Sequence, residues 1–486
     1  MTISYDEHED LTRRDICFGC IGDSYLSGLV ENDGQNAECF YCKEEQACIS
    51  LAELADRVEA AFERHFARTA DEPNSFEYAM QNDREINYEW YREGQETCYA
   101  IMDAASLREE IAMDVRNILE FRHEDWDSAA AGMECDFAAE AHYEEIMPED
   151  HEWHEQWNEF EKLIKTEARF FSRTAAAHLG KLFDHIDQMR TRDGETLVVD
   201  AGPGTAISEL YRGRVFQSEA PLLKAMKRPD LELAAPPAWA AGAGRMNARG
   251  ISVFYGATSP EIALAEVRPP VGSRVAMARF EIIRPLKLLD LAALGNVMER
   301  GSIFDPDYAY RLGRMRFLST LSNKMARPVM PDDQEMEYLP TQAIADYLST
   351  EGQVPLEGIV FPSVQVGGNG LNVVLFHKAS RAEVLDIPAG TEIRARTYSM
   401  YEEGPEPEYS VTEEVPPVEE KEEKKKPTPF DLTMEHWVDP RELDPRDVSL
   451  RIDLGSVRVD EVSAVRIETD SHTVSRYRFE SREPPF

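Results

Sequence analysis

Two pairs of cysteines near the amino terminus constrain the fold of this chain more than any other feature of its sequence. Cys17-Phe-Gly-Cys20 and Cys39-Phe-Tyr-Cys42 form two CxxC segments separated by eighteen residues. Two such segments supply four thiolates in the tetrahedral arrangement that zinc requires, which leaves no position for water. The sequence therefore predicts a structural zinc site. The alternatives are four reduced core cysteines, or one redox-active pair that opens a helix after a strand.

Charge and hydropathy exclude several classes of protein. The formal net charge of -40 disfavours nucleic acid and anionic membrane surfaces as partners, because both are negatively charged. The acidic start of the chain lacks the apolar segment of a signal peptide, and no run of about 18 apolar residues is present to span a bilayer. We therefore expect a cytoplasmic protein with no membrane contact.

A change in apolar periodicity divides the chain. A helical period starts at Leu51, after a capping signal at Ser50 and Glu53, and acidic helical segments continue to about residue 193. Short strand-like runs then alternate with helix-like segments, which predicts the α+β class. The predicted domains are a zinc-binding segment over 1–50, an acidic α-helical domain over 51–193, an α+β domain over 194–400, a disordered linker over 401–429 and a small β-rich extension over 430–486.

Three polar residues in the α+β domain stand at the edges of apolar runs. Arg212 lies in a strand-like run, where alternation places Arg214 on the same face and favours an anion. Glu266 ends a helix-like segment, and Ser363 follows a strand-like run. Each residue also has a plain structural interpretation. The arginines suit a solvent-facing strand edge, Glu266 suits an ion pair with Arg268, and the serine suits a turn.

The order and context of these segments resemble the RES domain, a family named for an arginine, a glutamate and a serine. The blocks Arg245-Met-Asn247-Ala-Arg-Gly and Val-Phe-Tyr255, and Asn372 after a glycine-rich loop, extend the resemblance over roughly residues 202–389. It implies a fold related to ADP-ribosyltransferases and NAD as the substrate. It implies that the catalytic residues are Arg212, Glu266 and Ser363, and that NAD is contacted by Arg214, Arg245, Asn247, Tyr255 and Asn372. For Tyr255, core packing is the alternative.

These residue types suit the cleavage of NAD. The nicotinamide–ribose bond breaks through an oxocarbenium-like transition state, which a carboxylate stabilises. The planar fork of an arginine matches the pyrophosphate, an aromatic ring stacks on a base, and a hydroxyl orients the substrate by hydrogen bonding. The predicted fold is a zinc knuckle and helical domain followed by an ADP-ribosyltransferase-like mixed α/β domain.

The segment from about Ile16 to Arg68 resembles an amino-terminal domain found in front of RES domains and of HEPN ribonuclease domains. Together the resemblances imply an NAD-consuming toxin or anti-phage defence effector, with NAD and an antitoxin or defence-system protein as partners. The sequence also permits a homo-oligomer. The enzyme classes open to it are glycohydrolase, phosphorylase and ADP-ribosyltransferase.

Other functions remain as alternatives. One is a non-catalytic sensor whose zinc domain binds a partner. Another is a HEPN-like ribonuclease, suggested by Arg116-Asn117 with His123 and by Arg173 with His178, although neither has the right spacing. A third is the first motif of a methyltransferase, or a dinucleotide-binding turn, at Gly202-Pro-Gly204, although the third glycine and the acidic partner of such sites are missing.

Overall fold

The computed structural model describes residues 3–83, 87–124, 134–327, 329–363, 365, 370–402, 404–417, 444–466 and 469–479. The chain divides into two compact units, one of residues 1–197 and 293–325, the other of residues 198–292 and 326–486. The α+β class predicted from the sequence is confirmed. Part of the predicted 194–400 domain nevertheless belongs to the first unit. None of the helices in the described residues combines the length and apolar character that a membrane crossing requires.

Helices and strands are numbered here in chain order. The α-helices are α1 (Tyr5–Thr12), α2 (Ser24–Asp33), α3 (Leu51–His65), α4 (Ser75–Gln81), α5 (Thr97–Ala105), α6 (Glu109–His123), α7 (His151–Lys162), α8 (Arg173–Leu182), α9 (Glu219–Lys227), α10 (Pro229–Glu232), α11 (Pro260–Glu266), α12 (Leu291–Leu294), α13 (Tyr308–Ala326), α14 (Gln334–Glu337) and α15 (Leu339–Thr350). The strands are β1 (Asp15–Cys17), β2 (Gln35–Glu38), β3 (Glu45–Ser50), β4 (Phe66–Arg68), β5 (Gln95–Glu96), β6 (His142–Glu145), β7 (Arg190–Thr191), β8 (Val198–Ala201), β9 (Glu209–Phe216), β10 (Phe254–Ala257), β11 (Arg274–Ile282), β12 (Leu286–Asp290), β13 (Val297–Met298), β14 (Gly358–Pro362), β15 (Leu371–Leu375), β16 (Glu392–Tyr401), β17 (Gly404–Glu414) and β18 (Leu450–Glu461).

The first unit is built on helices with small sheets at their ends. Helix α3 begins at Leu51, and the Ser50 side chain caps it by accepting a hydrogen bond from the Glu53 N–H at 3.2 Å. One face of α3 is buried against α6 in the core of this unit. The small sheet β1-β3-β2 carries the cysteine segments at its strand ends. The start of helix α3 at Leu51 was therefore predicted correctly from the helical periodicity of the sequence.

Residues 293–325 join the first unit through an aromatic cluster. Trp153 and Trp157 of α7 lie 6.3 and 5.6 Å, between ring centroids, from Phe317 of α13. All three side chains are buried, so α13 is fixed to α7 by apolar packing. The sequence analysis assigned this helix to the α+β domain, because periodicity shows which face of a helix is apolar but not which partner covers it.

The second unit is organised by one eight-stranded sheet, in the order β18-β11-β9-β10-β15-β14-β12-β8. Neighbouring strands are antiparallel except β12 and β14, which are parallel. Gly358 in β14 is required by close approach, since a Cβ there would lie 2.2 Å from the Val374 carbonyl oxygen. Helix α11 packs against β9 and β10 through a small apolar cluster that includes Ile262, Ala263 and Met277.

The carboxyl-terminal part of the chain differs from the sequence-based expectation. Disorder was predicted from residue 401, but β17 pairs with β16 from Tyr401↔Gly404 to Glu392↔Glu414, and Tyr409 packs against the core of the second unit. The predicted β-rich extension contributes β18, which pairs with β11 and completes the main sheet. Main-chain hydrogen bonds to neighbouring strands stabilise these polar strands. The amino-acid composition alone does not show that such pairing occurs. Residues 418–429 of the predicted linker lie outside the described residues.

Candidate functional site

The four predicted zinc ligands are brought together by the sheet β1-β3-β2. Cys17 ends β1, Cys20 follows in a 3-10 turn, and Cys39 and Cys42 lie in the turn between β2 and β3. Their sulfur atoms all lie within 4.8 Å of one another, with 3.5 Å between Cys17 and Cys42 and 3.9 Å between Cys20 and Cys39. A tetrahedral zinc site with Zn–S bonds of about 2.3 Å places its sulfurs about 3.8 Å apart. The four residues therefore fit a single zinc ion.

Backbone donors favour the thiolate form of Cys39, whereas burial raises the pKa of the Cys17 and Cys20 thiols. Burial raises the pKa of the Cys39 thiol, but the N–H groups of Cys42, Cys17 and Tyr41 lower it, and the resulting pKa is about 7. The Cys17 N–H lies 3.4 Å from the Cys39 sulfur. The Arg108 guanidinium donates to the Cys20 sulfur at 3.6 Å. Donors of this kind stabilise metal-bound thiolates. The redox alternative fits less well, because Cys17 precedes a 3-10 turn rather than an α-helix.

A cavity of about 250 Å³ in the second unit is lined by half of the other predicted site residues: Arg212, Tyr255, Glu266 and Asn372. Four adjacent strands, β9, β10, β15 and β14, and the end of α11 form its walls. The lining residues are Tyr211, Arg212, Gly213, Tyr255, Gly256, Ala257, Ala263, Glu266, Val267, Phe361 and Asn372. We call it the Glu266 cavity.

Glu266 is the last residue of α11, which starts with Ser259 accepting a hydrogen bond from the Ile262 N–H. Its Oε1 accepts hydrogen bonds from Ser363 Oγ at 2.6 Å and from Asn372 Nδ2 at 2.7 Å. Among the described residues, Oε2 has no hydrogen-bond partner. The ion pair with Arg268 that the sequence allowed is not formed. The carboxylate is therefore fixed through one oxygen, while the other remains available.

The two donors to Glu266 are themselves rigidly placed. Ser363 directly follows β14, is 7% exposed, and donates its N–H to the Gly370 carbonyl at 2.8 Å. Asn372 is 5% exposed and lies in β15 opposite Phe361 of β14 and Ala257 of β10. Because both donors come from a packed sheet, the direction of the Glu266 carboxylate is set by the sheet.

Arg212 presents an unpaired cation to the same cavity. The side chain as a whole keeps partial solvent exposure, but its Nη1 is buried and has no hydrogen-bond partner within the part of the chain that the structure describes. Burial, and secondly the charge of Arg214, lower the pKa of Arg212 to about 10. The guanidinium carbon lies 5.0 Å from the centre of the Phe254 ring. A partly exposed guanidinium with one buried, unsatisfied N–H group is suited to receive an anion.

Three residues predicted to contact NAD do not line the cavity. Arg214 donates to the Glu232 carboxylate at 2.9 Å and to its carbonyl at 3.1 Å. Arg245 donates to the Arg327 carbonyl at 2.9 Å. Asn247 is buried and donates to backbone carbonyls at Gly242, Ala248 and Ile251. The structure thus places these polar groups in the framework around the cavity.

Tyr255 connects the cavity to that framework. Its ring lines the cavity, while its hydroxyl donates to Asn247 Oδ1 at 2.9 Å and accepts from the Met246 N–H at 3.1 Å. Burial, partly opposed by the Met246 N–H, raises the pKa of Tyr255 to about 12. A Cβ at residue 244 would lie 2.6 Å from the tyrosine oxygen, so Gly244 is required there. Tyr255 therefore both packs in the core and presents its ring to the cavity.

Two aromatic residues of the cavity were not predicted. Phe361 lies in β14, two residues before Ser363. Side chains two residues apart in an extended segment point to the same side, and this spacing could have indicated that Phe361 lines the cavity. Tyr211 directly precedes Arg212 in β9, and its hydroxyl donates to Glu209 at 3.0 Å. Together with Tyr255 they give the cavity three aromatic side chains.

The structure also shows where the alternative motifs lie. His123 Nε2 is 2.6 Å from Glu59, and Arg116 is 3.6 Å from Glu120, so these groups are paired within the helical unit. Arg173 begins α8 and His178 is buried in it. The segment after Gly204 leads into strand β9 rather than into a helix, unlike a nucleotide-binding turn.

Comparison with known proteins supports the RES domain. Residues 222–398 match the family model described as RES domain. The matched segment contains Glu266, Ser363 and Asn372, and it begins after Arg212; the cysteine cluster also lies outside it. A search of curated proteins found no match to the chain.

Proposed function

We propose that the second unit is an enzyme that consumes NAD by cleaving the nicotinamide–ribose bond, as a glycohydrolase, a phosphorylase or an ADP-ribosyltransferase. The observation that carries the proposal is that one cavity is lined by both a carboxylate, Glu266, and a guanidinium, Arg212. Glu266 is held there by Ser363 and Asn372, and the unpaired cation of Arg212 lines the same cavity. A negative group for a developing carbocation and a positive group for phosphate are the two requirements of the reaction.

Glu266 has the central chemical role in this proposal. When the bond breaks, its electron pair leaves with the nicotinamide nitrogen, and positive charge develops on the ribose. The unpartnered Oε2 of Glu266 faces the ribose and stabilises that charge, while Ser363 and Asn372 keep Oε1 in place. Water, phosphate or a protein side chain then attacks the anomeric carbon. The three possible acceptors correspond to the three enzyme classes.

The remaining cavity residues bind the substrate. Arg212 receives the pyrophosphate, and the rings of Tyr211, Tyr255 and Phe361 supply surfaces on which nicotinamide stacks. The cavity volume of about 250 Å³ is below the range of about 300–1,000 Å³ that is typical of complete ligand sites. It therefore encloses the nicotinamide end of NAD and leaves the adenosine end outside.

The proposed biological role is that of a toxin or anti-phage defence effector in the cytoplasm. The matched RES domain suggests this role, because such domains resemble toxins that act on NAD. An antitoxin or another defence-system protein is the proposed partner. The zinc-binding cysteine cluster stabilises the amino-terminal segment, which resembles domains found in front of RES and HEPN domains.

The test is incubation of the purified chain with NAD and identification of the products by mass. ADP-ribose indicates a glycohydrolase, a phosphorylated ADP-ribose formed only in phosphate buffer indicates a phosphorylase, and a mass increase of the protein or of an added protein indicates a transferase. Glu266→Gln is the inactive control. NAD that binds but stays intact, alone and with cell lysate, would instead support a non-catalytic sensor.

A further inference from the structure

The first unit contains a second cavity, of about 470 Å³, between helices α7 and α8. This volume lies within the range of about 300–1,000 Å³ found for small-molecule sites. Phe160 of α7 and His178 of α8 both line it, with Leu163 and Ala175 as further apolar wall. We call it the His178 cavity. It involves none of the residues of the cysteine cluster or the Glu266 cavity.

His178 is a buried polar group that the fold leaves unsatisfied. Its side chain is 8% exposed, and Nε2 has no hydrogen-bond partner in the described ranges. Burial, and secondly the charge of Lys181, lower the pKa of His178 to about 4. The imidazole is therefore neutral at pH 7 and offers one donor and one acceptor. Unsatisfied buried polar atoms are uncommon in folded proteins, because each costs about 1–3 kcal/mol.

Aromatic rings surround this imidazole. The Phe160 ring lies 5.5 Å from that of His178, and the rings of Trp157 and Trp153 lie at 6.2 and 6.4 Å. The indole Nε1 of Trp157 is also buried without a hydrogen-bond partner among the residues described. His178 lines the cavity, but both unsatisfied nitrogens are closed to solvent, so a ligand edge hydrogen-bonds to Nε2 only when the His178 ring turns toward the cavity.

The backbone around the cavity is irregular. Residues Leu163–Glu167 form a π-helical turn, closed by the Ala168 N–H at 2.9 Å from the Leu163 carbonyl. The following loop joins two lining residues and exposes Phe170 and Phe171, the latter with φ of 60°. Single π-helical turns occur frequently at functional sites. A bulky residue at positive φ is uncommon.

The charges at the cavity balance. Its lining includes two lysines and two glutamates, and Lys162 is already 3.6 Å from Glu167. The net charge of these four groups is zero, so the lining as a whole favours neither a cationic nor an anionic ligand. A neutral ligand with a flat apolar face suits Phe160, and a hydrogen-bonding edge suits His178. These requirements together define the ligand class.

We propose that the His178 cavity binds a neutral, planar heteroaromatic molecule of nucleobase size, whose ring packs against Phe160 and whose edge hydrogen-bonds to His178. The site is independent of the proposed NAD chemistry, since it shares no residue with the Glu266 cavity. A nucleobase carries both donors and acceptors on its edge, so it can satisfy either nitrogen arrangement of the imidazole.

Titration of the full-length protein with adenine tests the proposal. Trp153 and Trp157 adjoin His178, so occupancy should quench tryptophan fluorescence, with saturation at a dissociation constant below about 1 mM. His178→Phe keeps a ring but removes the hydrogen bond and should weaken binding about tenfold. Failure of adenine, indole and nicotinamide all to give a saturable signal overturns the proposal.

A matched pair of substitutions on α8 locates the site. Ala177 and Ala176 are both exposed, but only Ala177 lines the cavity. Ala177→Phe should fill the cavity and abolish adenine binding, while Ala176→Phe should leave it unchanged. Thr174→Phe, at another lining position, serves as a second blocking variant if Ala177→Phe does not fold. Adenine binding that survives both blocking variants would place the ligand elsewhere and overturn the assignment.

A further probe tests the chemical class. Cyclohexanol is similar in size to one ring but is neither planar nor heteroaromatic, and it should bind at least tenfold more weakly than adenine. Equal affinity for cyclohexanol and adenine, with no effect of His178→Phe, would show a general apolar cavity and refute the heteroaromatic class.

Discussion

The cysteine cluster and the Glu266 cavity are two polar sites assembled in opposite ways. The four cysteines lie within one short segment and converge through a small three-stranded sheet. Glu266 instead meets partners 97 and 106 residues away, and Arg212 comes from a strand that precedes both. In the first site, local spacing determines the geometry. In the second, the main sheet must form before any of the polar groups are neighbours.

This difference predicts how each site responds to disruption. Loss of a local metal site should unfold its own segment, because zinc binding and folding are coupled there. Loss of one group in the Glu266 cavity should change activity or affinity and leave the sheet intact, since the strands are held by main-chain pairing and apolar packing. The following experiments test that contrast.

The largest effect is expected for the zinc site. Zinc binding to four thiolates contributes about 10 kcal/mol of folding-linked free energy in structural sites. Metal analysis of the purified protein should give about one zinc per chain. Cys39→Ser should abolish the zinc content and destabilise the first unit, measured by thermal unfolding. Cys98→Ser, outside the cluster, is the matched control and should keep the zinc. A metal-free wild-type protein with unchanged unfolding would contradict the assignment.

The next effect concerns catalysis. Glu266→Gln preserves the shape of the side chain but removes the charge that stabilises the ribosyl cation, so NAD turnover should fall about 10²-fold or more. The dissociation constant of NAD should change much less. Glu261→Gln is a matched control on the same helix, because Glu261 is exposed and does not line the cavity. Equal turnover by the two variants would remove Glu266 from its proposed role.

Arg212 should show opposite effects on binding and stability. Arg212→Met removes the proposed pyrophosphate contact and should weaken NAD binding by about 10- to 100-fold, since charge-assisted hydrogen bonds contribute about 1.5–3 kcal/mol. The same change removes a buried Nη1 that has no hydrogen-bond partner among the described residues, and it should raise the midpoint of thermal unfolding of the ligand-free protein. Arg214→Met is the comparison, and it should affect NAD binding less because Glu232 holds that side chain. Lower stability of Arg212→Met would show that the guanidinium is satisfied in another way.

The smallest effect is expected at the framework of the cavity. Asn247→Ala removes the acceptor of the Tyr255 hydroxyl and the Nδ2 group that donates to three carbonyls of the 242–251 loop, and should cost about 1–3 kcal/mol of unfolding free energy. Turnover per folded molecule should fall less than for Glu266→Gln. A loss of activity equal to that of Glu266→Gln with unchanged stability would instead indicate direct contact between Asn247 and substrate.

The sequence predicted more of the individual elements than of their assembly. Helix α3 and its cap at Ser50 follow from periodicity, and the cysteine spacing indicated the converging sulfurs. The membership of residues 293–325 in the first unit was not predicted, because apolar faces do not identify their partners. Strand β17 was missed because its polar composition matches disorder, whereas pairing with β16 satisfies its backbone.

The sequence alone determined which residue types are available and where local spacing makes a site. Four cysteines in two CxxC segments need only short turns to converge, so their arrangement is largely independent of the rest of the fold. Only the tertiary structure decided which polar groups act together. In the structure, Glu266 accepts hydrogen bonds from Ser363 and Asn372 and forms no ion pair with Arg268. Arg212 Nη1 has no hydrogen-bond partner among the described residues. The other predicted polar contacts bind groups outside the cavity: Arg214 binds Glu232, Arg245 binds the Arg327 carbonyl, and Asn247 binds backbone carbonyls. The physical reason is that hydrogen bonds act over about 3 Å, and distances between remote segments are set by sheet pairing and core packing.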